Sequence, residues 1–129
     1  MRTLRITAAL IGVALIASTS FAAGHGSAAA AEPEKGVTVQ GEILDMACFV
    51  SHNAQGASHA GCAVKCLKGG QPMGLRATDG TVYLLFADHG DASAYDKAKE
   101  LGGKNVEVKG QLASNGAFKG ITVEDVKPL

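Results

Sequence analysis

All three cysteines of the chain, and two of its four histidines, fall within one stretch of nineteen residues, CFVSHNAQGASHAGCAVKC, from Cys48 to Cys66. Thiols and imidazoles at this density suit three chemistries. Thiolates and imidazoles favour zinc or copper(I), and three cysteines with one histidine are a normal structural zinc complement. In an oxidising compartment, two of the thiols would instead pair, most easily Cys48 with Cys62 or Cys66. Such a bond would staple a long loop at a gain of about 3 kcal/mol and leave one thiol spare. The third chemistry is a thiol nucleophile or redox group, with Cys62 or Cys66 reactive and Cys48 resolving. The odd cysteine favours metal, because a plain staple has no use for it. The candidate ligands are therefore Cys48, Cys62, Cys66 and His59, with His52 as the alternative imidazole. The spacing, C-x13-C-x3-C, is not that of paired zinc ribbons, so residue type carries the reading and spacing adds little.

The elements around these residues must bring them together. Ser58 to Gly70, SHAGCAVKCLKGG, is punctuated as a short helix. Ser58 is expected to cap it and Gly69 to close it in the left-handed conformation, with Lys65 and Lys68 in the last turn and Pro72 beyond. His59, Cys62 and Cys66 are then spaced by three and four, so they share one helical stripe. Cys48 is expected at the end of a strand and His52 in the loop that follows, a loop long enough to fold back towards the stripe. Asp45, beside the cluster, could orient a histidine, although an aspartate that ends a strand is more commonly a turn residue.

The flanking pattern is mainly β. VTVQGEILD alternates from Val37 to Asp45, with a bend or bulge expected at Gly41. Met73, Leu75 and Ala77 alternate in a second strand. An Asp79-Gly80 turn then leads to a third strand, Thr81 to Ala87. Ser93 to Leu101 is expected to form a short helix capped by Ser93 and stopped by Gly102-Gly103. Asn105 to Ser114 and the run after Asn115-Gly116 form a closing hairpin. Tyr83, Phe86 and Phe118 are expected in the barrel core or on its face.

This order resembles the OB-fold, a five-stranded Greek-key barrel with a helix between its third and fourth strands. The phrases GKNVEVKGQL and GITVEDV are similar to the closing strands of small exported bacterial OB-fold proteins. The resemblance covers roughly residues 36–127 and implies a β-barrel of five strands, so that with the helix read at Ser58 to Gly70 the expected fold is mainly β with two short helices. It also implies ligand binding beside the first connection, which here carries the Cys/His insertion of residues 46–70.

At 129 residues the chain holds one domain at most. Residues 1–22 have the layout of a signal peptide: two arginines, an apolar run from Ile6 to Ala17 that is too short to span a bilayer, then small residues. Cleavage is expected after Ala22, with Ala31 as the alternative. Residues 23–35 read as a flexible leader to a domain of residues 36–129. A periplasmic or secreted protein without stable membrane insertion follows. Removal of Arg2 and Arg5 leaves ten basic groups against twelve acidic, a net charge near −2. With no basic run, nucleic acid is an unsuitable partner.

A start at Ala23 would make Ala23-Gly24-His25 a square-planar site for copper(II) or nickel(II). His89, in the sequence ADHGD, is either a further ligand or part of a solvated turn. No c-type haem motif, phosphate-binding glycine loop or hydrolase motif occurs. The expected function is soft-metal storage, delivery or sensing rather than catalysis. The alternative is a disulfide-stapled module for a peptide, a glycan or another envelope protein, which would need no metal.

Overall fold

The computed structural model describes residues 36–129; the expected signal peptide, the leader and His25 lie outside them. Five strands and three short helices follow one another in the order β1 (Val37–Asp45), α1 (Met46–His52), α2 (Ala60–Lys68), β2 (Met73–Ala77), β3 (Val82–Ala87), α3 (Ser93–Lys99), β4 (Asn105–Asn115), β5 (Phe118–Pro128). The strands close into a barrel in the order β1-β2-β3-β5-β4. Every pairing is antiparallel except β3 with β5. This is the five-stranded barrel that the resemblance to the OB-fold implies.

β1 makes closure work by serving two neighbours. Its first half pairs with β4, from Val37 opposite Gly110 to Glu42 opposite Asn105, and its second half pairs with β2, from Gly41 opposite Ala77 to Asp45 opposite Met73. The change of partner falls at Gly41, where a Cβ would run into the Arg76 carbonyl. The bend expected there is thus a point of close backbone approach, which only glycine permits. Period-two alternation sends Ile43, Leu75, Leu85, Val106, Val108, Ile121 and Val123 inward, where they are buried together. Leu67 from α2 and Ala98 from α3 join that core. Full burial of a leucine contributes about 1.5–3 kcal/mol, so Leu67 also anchors the helix that carries two of the cysteines.

Both hairpin turns form where expected. In the first, Asp79 Oδ1 accepts from the Thr81 amide at 2.8 Å and Gly80 has φ +87°. In the second, Gly116 has φ +58° between β4 and β5. Tyr83 packs against the core, whereas Phe86 and Phe118 stand 51% and 72% exposed.

The helices depart from expectation in four places. There are three, not two, because Met46–His52 is helical where a strand end and loop were expected. The N-cap position of α2 is occupied by His59, not Ser58, and makes no side-chain capping bond. Gly69 stays in the right-handed region at φ −76°, and Gly70, at φ +96°, takes the left-handed conformation. α3 likewise has Ala92 at its N-cap position in place of Ser93. Among the described residues, no helix is long and apolar enough to cross a membrane.

Candidate metal centre

Asp45 is the joint between the barrel and the site. It ends β1, is 1% exposed, and caps α1: Oδ1 accepts from the amides of Ala47 at 3.0 Å and Cys48 at 3.4 Å. These bonds satisfy two of the free N–H groups at the start of the helix. At the other end Asn53 adopts the left-handed conformation at φ +53°, and its amide donates to the Phe49 carbonyl at 2.8 Å. Capped at both ends, the seven residues of α1 place Cys48 in the first turn and His52 in the last.

α2 is placed from its opposite face. Ala63 and Leu67, four apart, are buried, which leaves Cys62 and Cys66 on the adjacent stripe facing outward. The loop after α3 lies flush on this helix. A Cβ on Gly102 would come within 2.8 Å of the Val64 nitrogen, and one on Gly103 within 2.6 Å of Ala60 Cα. The segment between the helices is tied down by Glu42, whose Oε1 accepts from the Gly56 amide and whose Oε2 lies 3.4 Å from the Arg76 guanidinium. That tether holds the approach to His59.

The result is two overlapping sets of ligand atoms. The sulfurs of Cys48, Cys62 and Cys66 all lie within 4.8 Å of one another, and Cys62 and Cys66 are 3.9 Å apart. Asp45, Cys48 and His59 form a second set within the same limit. The cluster could therefore hold a metal ion. All three cysteines are free thiols, and none of the sulfurs is at bonding distance from another. His52 belongs to neither set and is exposed on α1. His89 is also outside both, in a turn where Asp88 Oδ1 accepts from the Gly90 amide at 2.7 Å and Asp91 Oδ1 from the Ser93 amide at 2.9 Å.

The electrostatics of the site centre on the same aspartate. Burial pushes the Asp45 carboxyl up, but the thiols of Cys48 and Cys66 and the two capping amides outweigh burial and hold it below its ordinary value. The reverse effect falls on the thiols. Cys48 is pushed up to about 12, first by its interaction with Asp45 and then by burial. Cys66 is raised too, first by Asp45, then by burial and by Cys62. Without a cation, the pocket thus favours neutral thiols around one carboxylate. Asp45 Oδ2 and His59 Nε2 are both buried without a well-formed hydrogen bond.

Sequence reasoning assigned Asp45 a turn or a supporting role and missed that its carboxylate oxygen stands among the ligand atoms. Its position three residues before Cys48 was the available signal, and only the presence of α1 gives that spacing meaning. Comparison with protein-family models, curated proteins and solved structures finds no match to the chain.

Proposed function

We propose that this is an exported, periplasmic protein that binds a soft metal ion, copper(I) or zinc, through Cys48, Cys62 and Cys66, with His59 as the nearest imidazole. The observation that carries the reading is the convergence of three free sulfurs within 4.8 Å on two helices set against a closed barrel. Three thiolates suit copper(I) as a trigonal set and zinc as three of four ligands. Cys62 is exposed, so one side of the ion would remain open to a donor or acceptor of metal. An ion held at the surface, within reach of a donor or acceptor, suits storage, delivery or sensing.

The test is to express the protein with its N-terminal segment in a bacterial host, release the periplasm, and isolate the protein without chelators. Elemental analysis and thiol counting then give metal and free thiols per chain. Bound zinc or copper, with thiols that become reactive only after chelation, is the expected result. Metal-free protein with a single free thiol would sink the reading. Replacing Cys66 by serine is expected to weaken binding at least a hundredfold.

A second reading draws on a different surface. Leu84, Phe86 and Phe118 line an apolar groove on the outer face between β3 and the β4–β5 hairpin. On that reading the domain is an OB-like module that docks an apolar peptide of an envelope protein. It predicts that the isolated protein carries no metal and that Phe118→Ser, rather than Cys66→Ser, removes its activity.

A further inference from the structure

We propose that Cys48 bridges two adjoining positions for divalent, zinc-class ions, one completed by Cys62 and Cys66 and the other by Asp45 and His59. The proposal rests on the reading of the cluster as a metal site and extends it from one ion to two.

The ligand atoms do not merge into a single cage. They fall into two triads that share only Cys48, each with its atoms within 4.8 Å of one another. That span suits one ion per triad, since zinc–sulfur bonds of about 2.3 Å and zinc–nitrogen or zinc–oxygen bonds of about 2.0–2.2 Å place ligand atoms roughly 3–4 Å apart. Three protein ligands and an open fourth position is a normal zinc arrangement.

The inner triad carries a second observation of its own. Asp45 is 1% exposed, its Oδ1 is committed to the cap of α1, and its buried Oδ2 makes no well-formed hydrogen bond and has the thiols of Cys48 and Cys66 as its neighbours. His59 Nε2 is also buried and unpartnered. Buried polar atoms are nearly always satisfied, and a cation held by Asp45, Cys48 and His59 would engage the carboxylate and the imidazole together. An ion held only by the three cysteines would leave both unused.

Charge points the same way. As ligands, three thiolates and a carboxylate carry four negative charges. Of the two lysines of α2, Lys68 pairs with Glu100 at 2.7 Å, which leaves exposed Lys65, beside Cys66, as the single cation of that helix to set against this charge. One divalent ion cancels half of that charge, and two cancel all of it. The donors divide by character as well. The outer triad is all sulfur, and the inner one mixes oxygen, nitrogen and sulfur, which suits a borderline ion such as zinc.

The test counts ions. The purified protein, reduced and stripped of metal, is titrated with zinc alone against a chromophoric chelator, and the end point is checked by native mass spectrometry. The expected stoichiometry is two zinc ions per chain. His59→Ala should retain one, and the Cys62→Ser/Cys66→Ser double variant should also retain one, the inner. Asp45→Asn, which keeps a good N-cap residue and so preserves α1, should weaken the second equivalent at least tenfold and leave the first. A single zinc that survives His59→Ala and is lost with Cys62 and Cys66 overturns the bridge and leaves the soft-metal reading standing. Two ions that both survive His59→Ala overturn it as well. No zinc in any form of the protein overturns both.

Discussion

Asp45 and Cys48 show how one contact sets the chemistry of the site. The carboxylate stabilises the neutral thiol, and Cys48 is accordingly pushed up to about 12 from the 9.0 of an isolated thiol. Any metal that binds must displace this proton, so metal affinity is expected to rise with pH throughout the range below 12. Proton release during zinc titration in weak buffer measures the effect directly; binding without release would show that the thiols were already ionised. Asp45→Asn removes the charge while keeping a capping side chain. Alkylation of Cys48 in the metal-free protein at pH 7 should then accelerate on the order of tenfold or more, because the thiolate fraction grows as the pKa falls. An unchanged rate, resolved by peptide mass spectrometry, would contradict the role given to Asp45. Linkage gives a matching stability profile. The raised Cys48 contributes stability that is complete below about pH 9 and is lost as pH rises through about 12. The lowered Asp45 contributes stability above the ordinary carboxylate value of 3.8 that is lost as pH falls through its folded value. The urea midpoint of the metal-free protein should therefore fall at both ends.

The helices were less legible than the strands, for physical reasons. Seven residues with no apolar stripe carry no periodic signal, and all of α1 lies outside the buried core. It exists because Asp45 caps one end and left-handed Asn53 closes the other, both readable as turn residues just as well. α2 was visible through its punctuation, a capping serine before it, lysines in its last turn and glycine then Pro72 after it, yet the N-cap position falls on His59 and not on Ser58. Two glycines separate packing from propensity here. Gly61 lies within α2 with nothing near the position of a Cβ, so Gly61→Ala should stabilise the domain by about 0.5–1 kcal/mol. Gly103 has φ +72° and lies against Ala60, so Gly103→Ala should cost on the order of 2 kcal/mol and loosen α2. Urea unfolding of the two variants checks both signs. If Gly103→Ala is neutral, the packing of that loop does not position the cysteine stripe.

At the scale of the molecule, the strands were readable because their signals are local and repeated: alternation, an Asp-Gly turn and an Asn-Gly turn. Their closure into a barrel was legible only through the resemblance of their order to the OB-fold. The parallel pairing of β3 with β5, which closes it, has no sequence signal of its own and follows only from the other four pairings. The candidate ligands raise a different question, since all of them lie between Asp45 and Cys66, and so within one short segment. An unfolded chain retains that segment and can bind metal weakly through it, most easily through Cys62 and Cys66. The barrel adds organisation: it holds Asp45 at the end of β1 and docks α2 through Leu67, so that Cys48 meets the other sulfurs without further loss of chain entropy. If this organisation governs binding, metal must stabilise the fold. At a free ion concentration a thousandfold above Kd the gain would be about 4 kcal/mol, less whatever affinity the unfolded chain has. In a domain of this size each 1 kcal/mol shifts Tm by about 4–8 °C, so zinc should raise Tm by well over 10 °C. The Cys62→Ser/Cys66→Ser variant should match the wild type without metal, because both positions face solvent or its margin, and should show at most part of the rise with zinc. Calorimetry of the four samples decides the matter. If zinc binds the wild type but leaves Tm unchanged, the folded and unfolded chains hold it equally. The cysteines would then be a local sequence cluster, and the barrel would have no part in building the site.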